Sequence, residues 1–180
     1  MFTTNDLLIV IDMQNDFITG SLANPDAQAI VDAVAKRINY HQGPVYYTLD
    51  THGDDYLETQ EGHYLPVPHC IKGTEGWQLA PSIAEALELH NATGFEKNTF
   101  GSTALAHGVA KAHMKKPFTS ITLIGVCTDI CVISNAMVLK ATLPNVPIYV
   151  VADLCAGVTP ASHQTALDAM AACQMAIIHE

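Results

Sequence analysis

The sequence contains little charge, and most of that charge is negative. Only 14% of its 180 residues are charged, and 8 Lys and Arg against 18 Asp and Glu give a net charge of −10. Average globular proteins carry about 25% charged residues. A surface with this balance repels the phosphates of nucleic acids and the anionic headgroups of lipids. We therefore expect neither nucleic acid nor a membrane as a partner.

Three other features are absent. No run approaches the roughly 18 consecutive apolar residues of a membrane-spanning helix. No basic segment precedes the first apolar stretch, as a secretory signal peptide would require. The five cysteines (Cys70, Cys127, Cys131, Cys155 and Cys173) are odd in number and lie mostly in apolar segments, unlike a disulfide framework. These absences favour a protein of the reducing cytoplasm.

What the sequence does contain is enough apolar material for one sizeable core. Hydrophobic residues make up 49% of the chain, which excludes disorder as its main state. At about 150 residues per domain, the length favours one domain over residues 1–180. No internal repeat, low-complexity tract or linker divides it.

Apolar segments alternate with segments of helical period along the chain. Strands are predicted at 7–12, 45–50, 94–97, 120–126, 146–152 and 175–179, and helices at 26–40, 81–89, 102–113, 129–143 and 160–173. Strands that alternate with helices form parallel sheets covered on both faces. The pattern predicts an α/β fold, a single-domain three-layer αβα sandwich with a mostly parallel six-stranded sheet. Residues 51–76 show no period, and so long a loop is usually functional.

Reactive residues follow several of the predicted strands. Asp12 ends the first strand, Lys97 the third, and Cys131 falls where the fourth strand turns into a helix. Ligands bind at this edge of such sheets. A helix N-terminus favours thiolate over thiol, so Cys131 is the candidate nucleophile, with Asp12 as proton acceptor and Lys97 as the cation that holds both. Each of these three residues alone could have an ordinary structural role, but their occurrence together favours a catalytic role.

A second group lies in and before the long loop. Asp50 and His52, two residues apart at the end of the second strand, can point to the same side and share one ion. His69 lies further along the loop, and Glu58 and Glu61 lie between His52 and His69. The alternative interpretation is a polar surface loop.

Three segments in this order, LLIVIDMQNDF, FEKNTFGS and IGVCTDICV, resemble the isochorismatase-like cysteine hydrolase family, which includes nicotinamidases. The resemblance covers nearly the whole chain and implies a six-stranded parallel sheet with catalytic Asp12, Lys97 and Cys131. It also implies a cis peptide bond between Val126 and Cys127. The backbone N–H groups of Cys127 and Cys131 would then form an oxyanion hole.

The same resemblance implies a metal site and a pocket. Asp50, His52 and His69 match three of the family's metal positions, and either Glu58 or Glu61 could be the remaining ligand, with Glu61 favoured. Two imidazoles and two carboxylates suit a divalent zinc, manganese or iron ion. Phe17 and Phe100 are the expected aromatic residues of the substrate pocket. The family and the apolar composition also suggest a homo-oligomer.

The expected function is that of a cysteine amidohydrolase that forms a thioester, with nicotinamide and similar carboxamides as the first substrate hypothesis. One alternative within the family is a carbamoyl or ureido amide, or a vinyl ether related to isochorismate. An alternative of another class is a catalytically silent binding or scaffold protein. The loop DTHGDDYLETQEGHYLPVPHC lacks the Trp-His-Pro and paired-Pro features of many nicotinamidase-like members, and the stretch after Lys97 is short.

Overall fold

The computed structural model describes residues 4–180 and contains one six-stranded sheet in which every strand pairing is parallel. The strands are β1 (Asp6–Ile11), β2 (Val45–Asp50), β3 (Thr93–Lys97), β4 (Ser120–Val126), β5 (Ile148–Ala156) and β6 (Ala176–Ile178). Their order across the sheet is β3-β2-β1-β4-β5-β6. The predicted fold class is confirmed.

Helices cover both faces of the sheet. They are α1 (Asn15–Ile18), α2 (Pro25–Asn39), α3 (Gln60–Tyr64), α4 (Pro81–Leu89), α5 (Thr103–Lys115), α6 (Ile133–Thr142) and α7 (Pro160–Ala172). One apolar cluster joins the sheet to α5, α6 and α7, and a second joins it to α1, α2 and α4. The three layers of the predicted sandwich are therefore present. No helix within residues 4–180 is both long and apolar enough to cross a membrane.

Strand β1 lies at the centre of the sheet because both of its faces are apolar. All six residues of DLLIVI are buried. Leu7, Ile9 and Ile11 pack into the first cluster, whereas Leu8 and Val10 pack into the second. An unbroken apolar run, rather than an alternating one, is what a strand buried on both faces requires.

The structure differs from the predicted elements in two functional segments. The loop predicted without regular structure contains a 3-10 turn, Tyr56–Glu58, followed by α3. The helix predicted at 129–143 begins instead as a π turn, Thr128–Val132, before α6. This wider turn forms where the carbonyl of Cys127 accepts N–H groups from both Ile130 and Val132.

The strand order reverses between β1 and β4, which pair along their whole lengths from Asp6↔Ser120 to Ile11↔Gly125. The segments that leave these two strands diverge at that point, which opens a crevice at the carboxyl edge of a parallel sheet. Asp12 directly follows β1, and Cys127 directly follows β4. The sheet therefore brings both predicted catalytic segments to one place.

Candidate active site

Asp12, Lys97 and Cys131 meet at the carboxyl edge of the sheet. The Lys97 ammonium lies 2.7 Å from Asp12 Oδ2 and 3.4 Å from Cys131 Sγ. Lys97 is the last residue of β3, so the lysine side chain reaches back across the strand ends toward β1 and β4. All three residues are buried. The structure thus brings together the acid, amine and thiol that the strand ends predict.

Asp12 is fixed by its backbone and by Thr48 on β2. It has a φ of 48°, in the left-handed region that Asp tolerates better than most residues. The Thr48 hydroxyl donates to Asp12 Oδ1 at 2.6 Å and accepts the Asp12 backbone N–H at 3.3 Å. This leaves the Asp12 Oδ2 atom directed at Lys97.

Burial controls the ionisation of this group. It raises the pKa of Asp12 above its ordinary value, although the Lys97 ammonium opposes the shift. Burial alone would lower the pKa of Lys97, but the Asp12 carboxylate, with Cys131 and Asp50, raises it above the usual range. Lys97 therefore carries a permanent positive charge between two carboxylates.

Burial opposes the thiolate that a helix N-terminus was expected to favour at Cys131, the candidate nucleophile. Burial first, and the nearby Asp12 carboxylate second, raise the pKa of Cys131 well above that of a free cysteine. The residue lies near the end of a five-residue π turn rather than in the first turn of a long α-helix. Desolvation of the thiolate thus acts against any stabilisation by the helix end.

Cys127 directly follows β4 and lines the same cavity as Cys131, the candidate nucleophile. The peptide bond between Val126 and Cys127 is cis, as the family resemblance implies. Burial raises the pKa of the Cys127 thiol to about 12. The Cys127 thiol therefore does not compete as a thiolate with Cys131.

Next to the thiol, Asp50, His52, Glu61 and His69 form a cluster whose four candidate ligand atoms all lie within 4.8 Å of one another. The His52 Nε2 atom is 3.1 Å from Asp50 Oδ2 and 3.9 Å from Glu61 Oε1. The corresponding distances from His69 Nε2 are 3.5 and 3.7 Å. Glu58, the other candidate from the sequence, lies exposed on the 3-10 turn and outside the cluster.

The imidazole of His69 is oriented for ligation. Its Nδ1–H donates to the Val67 carbonyl at 2.9 Å, which turns the Nε2 atom toward the carboxylates of Asp50 and Glu61. The ring of Tyr56 packs edge-on against His52 and His69, with centroids 4.8 and 5.0 Å apart. The Tyr56 hydroxyl donates to the Leu65 carbonyl at 2.9 Å. The two imidazoles are therefore held in place by the protein itself.

The charges of the cluster depend on one another. Burial disfavours the Asp50 carboxylate, but hydrogen bonds from His52 and His69 lower its pKa below the ordinary value. Burial, together with Asp50, raises the pKa of Glu61. Burial would lower the pKa of His69, yet its hydrogen bond to Asp50 raises it. Asp50 is buried and Glu61 is partly buried, so a cation shared by the two carboxylates would stabilise both.

The donor set fits a divalent metal ion. A tetrahedral ion with bonds of about 2.0–2.1 Å holds its ligand atoms about 3.3–3.4 Å apart. The four imidazole-to-carboxylate separations run from 3.1 to 3.9 Å, close to that spacing. Two imidazoles with two carboxylates suit zinc, manganese or iron.

The cluster and the thiol open into one cavity of about 1180 Å³. Phe17 on α1 and Phe100, in the β3–α5 loop, both line it. Phe17 is nearly buried and packs edge-on against His69 at 5.6 Å, whereas Phe100 is 46% exposed. The structure thus places both predicted aromatic residues on the cavity surface.

Two buried amides that support the site escaped the sequence analysis. Gln14 pairs with the backbone of Asp50: its Oε1 accepts the Asp50 N–H at 2.7 Å and its Nε2 donates to the Asp50 carbonyl at 2.9 Å. Asn135 on α6 donates to the carbonyl of Cys131 at 2.8 Å. The four-residue spacing between Cys131 and Asn135, one helical turn, was an available signal.

The chain is similar to proteins of known activity. A family model described as the isochorismatase domain matches residues 6–179. The nicotinamidase/pyrazinamidase of Mycobacterium tuberculosis is 32% identical over 180 aligned residues, which cover 91% of this chain and 92% of the relative.

Solved structures show the same architecture. The pyrazinamidase/nicotinamidase of Streptococcus mutans superposes with a TM-score of 0.81 at 28% identity, over 96% of this chain and 99% of the other. The pyrazinamidase of Pyrococcus horikoshii, crystallised in complex with zinc, superposes with a TM-score of 0.81 over 98% of this chain and 99% of the other. At 23% identity, this second likeness concerns the fold. The family match over nearly the whole chain, together with these relatives, shows that the chain belongs to the isochorismatase family.

Proposed function

We propose that the protein is a cysteine amidohydrolase that converts a small heteroaromatic carboxamide into its carboxylate and ammonia. One observation carries the proposal. A buried thiol, 3.4 Å from the ammonium of Lys97, shares a single cavity with a cluster of two imidazoles and two carboxylates. Family membership and the nicotinamidase relatives indicate an enzyme that hydrolyses amide C–N bonds.

The first half of the reaction forms a thioester. Asp12 accepts the proton of Cys131, and the thiolate adds to the carbonyl carbon of the carboxamide. The backbone N–H groups of Cys127 and Cys131 donate to the oxyanion as its charge develops. The C–N bond then breaks, and the nitrogen leaves as ammonia with the proton that Asp12 returns. Lys97 keeps its charge throughout and holds the Asp12 carboxylate beside the thiol.

The second half releases the acid. Asp12, again a carboxylate, accepts a proton from water as its oxygen adds to the thioester carbon. Collapse of this intermediate breaks the C–S bond, and the cysteine recovers its proton from Asp12. The products are the carboxylic acid, in its ionised form, and the free enzyme. Neither half of the reaction consumes an oxidant or a further cofactor.

Asp50, His52, Glu61 and His69 would hold the divalent ion. When bound, such an ion supplies a Lewis-acidic position for a ring nitrogen of the substrate. Phe17 offers a ring surface beside His69, which suits a planar heteroaromatic group. The side chains therefore select a flat carboxamide whose reactive carbon faces Cys131.

Nicotinamide and pyrazinamide are the substrates that the names of the relatives supply. Anionic substrates of the isochorismate type suit this cavity poorly. The acidic lining residues within the described chain are Asp50, Asp55 and Glu61, and no lining residue is Lys or Arg. Away from the ion site, a carboxylate-bearing substrate would therefore find no Lys or Arg to pair with.

The test is ammonia release from nicotinamide by wild type, Cys131→Ala and Cys155→Ala. We expect Cys131→Ala to lose at least about 1000-fold in kcat, because no nucleophile remains. Cys155→Ala removes an equally buried thiol that does not line the cavity, and it should keep its activity. Near wild-type turnover by Cys131→Ala would refute the mechanism. Wild type that releases no ammonia, and whose Cys131 does not react with iodoacetamide, would favour the silent scaffold.

A further inference from the structure

The catalytic floor, by which we mean Asp12, Lys97, Cys131 and the ligand cluster, occupies only part of the cavity. A single-ring carboxamide of nine non-hydrogen atoms displaces roughly 150 Å³, the share of about five waters at about 30 Å³ each. The cavity measures about 1180 Å³, above the range of about 300–1,000 Å³ that is usual for small-molecule sites. Most of the cavity therefore lies beyond the reach of such a ring.

The remaining space has an apolar wall. We call Leu22, Pro25, Tyr64, Leu65 and Val158 the outer wall; all five line the cavity. Tyr64, Leu65 and Val158 are 85%, 37% and 56% exposed. Single exposed apolar side chains are ordinary, but several around one cavity mark a surface that another apolar group covers.

The outer wall stays open because of the chain connections around it. Only residues 98–102 link β3 to α5, which is too short a segment to fold over the cavity. The wall itself comes from three separate places: the start of α2 and the loop before it, the end of α3, and the loop before α7. The space is therefore continuous with the reactive floor and open to an extended substrate.

The charges on the cavity lining favour an uncharged occupant. Besides the four residues of the ligand cluster, the cavity lining within the described chain carries one charged residue, Asp55, and the chain as a whole has a net charge of −10. An anionic group would be repelled, and desolvating any charge against Leu22, Leu65 and Val158 is costly. An apolar group would instead gain by removing these side chains from water.

We propose that the physiological substrate is a heteroaryl carboxamide with an uncharged apolar substituent of about one ring, which packs against the outer wall. This inference rests on the proposed function and narrows its substrate class. The reactive ring lies on the floor between Cys131 and the ligand cluster, and the substituent fills the space that a single-ring amide leaves empty.

The experiment compares ammonia release by the metal-loaded enzyme from nicotinamide and three derivatives: 5-phenyl-, 5-carboxy- and 5-aminomethylnicotinamide. The 5-position adjoins neither the ring nitrogen nor the carbon that bears the amide. We expect kcat/KM for the phenyl derivative to exceed that for nicotinamide about tenfold or more, through a lower KM. Both charged derivatives should fall below nicotinamide.

Two substitutions in the outer wall, with a tyrosine outside the cavity as the matched control, test this packing. Tyr64→Ser and Val158→Ser should each reduce the phenyl-to-unsubstituted ratio of kcat/KM about threefold or more. Tyr40→Ser removes a tyrosine that is similarly exposed, at 72%, at the end of α2 and away from the cavity, and it should leave the ratio unchanged.

Several results would overturn the inference while the proposed function stands. Nicotinamide that is hydrolysed as well as or better than the phenyl derivative would exclude an apolar extension, and a preference for the aminomethyl derivative would point to a cationic one. A change of oligomeric state in Tyr64→Ser, measured by light scattering, with the ratio unaffected would identify the wall as an interface between copies. Absence of ammonia release from every compound would instead refute the proposed function.

Discussion

The floor and the outer wall of the same cavity are built in opposite ways. On the floor, Asp12, Lys97 and Asp50 are buried, and each makes at least one ion pair or hydrogen bond to another element. On the outer wall, Tyr64 and Val158 are more than half exposed and have apolar side chains. The floor is a connected polar network, and the wall is a set of apolar side chains left in water.

This difference follows from where the residues lie in the fold. Asp12, Asp50 and Lys97 stand at or directly after the ends of β1, β2 and β3, so strand pairing in the sheet fixes their separations. The wall residues belong to loops and helix ends, which change length and sequence without disturbing the sheet. The chemistry is thus tied to the architecture, whereas substrate choice is free to vary around it.

The substitution with the largest expected effect on the floor removes its cation, the Lys97 ammonium. Lys97→Met leaves the Asp12 and Asp50 carboxylates buried without the ammonium that lies 2.7 and 3.3 Å from them. Loss of one partner of a buried pair costs about 3–5 kcal/mol. We expect the free energy of unfolding, measured by urea denaturation, to fall by that amount. Ammonia release should fall at least about 1000-fold.

Lys72→Met is the control for this substitution. Lys72 pairs with Glu96, but both side chains are about half exposed, and exposed pairs contribute about 0–1 kcal/mol. This variant should resemble wild type in both measurements. Equal destabilisation by the two substitutions would mean that the buried charges are not a connected network.

A second prediction concerns the metal ligands. Glu61→Gln removes one carboxylate from the cluster, whereas Glu58→Gln removes the same charge from an exposed position three residues away. We expect the zinc dissociation constant, measured by competition with a chelating dye, to rise about 100-fold for Glu61→Gln and to stay unchanged for Glu58→Gln. Equal effects would indicate that general charge, not ligation, attracts the ion.

The sequence predicts the residues of the floor better than the hydrogen bonds that hold them in position. Strand ends are visible as the last residues of apolar runs, and parallel strands end at one edge, so the meeting of Asp12 and Lys97 could be foreseen. The sequence favoured Glu61 over Glu58 but left both open, because the choice depends on how a 3-10 turn and α3 are arranged in a loop without period. Side-chain hydrogen bonds to distant backbone, such as those of Gln14, leave no periodic signal either.

Substitution of Asn135 is the most sensitive test of how the floor residues are held in position. Asn135 links the floor to the loop that carries Phe100. Besides its bond to the Cys131 carbonyl, its Nδ2 donates to the Phe100 carbonyl at 3.0 Å, and its Oδ1 accepts the Ser102 N–H at 2.9 Å. One fully buried amide thus positions both the nucleophile turn and the loop that carries Phe100.

Asn135→Leu keeps the branching of the side chain and leaves these three backbone groups without their partner, at a cost of about 1–3 kcal/mol for each unsatisfied group. We expect kcat for nicotinamide to fall about tenfold and the rate of Cys131 alkylation by iodoacetamide to change with it, since a small displacement of the nucleophile slows the reaction. Thr142→Val removes a hydroxyl that donates to Val138 within the same helix and should change neither rate. Loss of stability in Asn135→Leu with both rates intact would show that the amide supports the fold alone, and that the nucleophile turn holds its position without it.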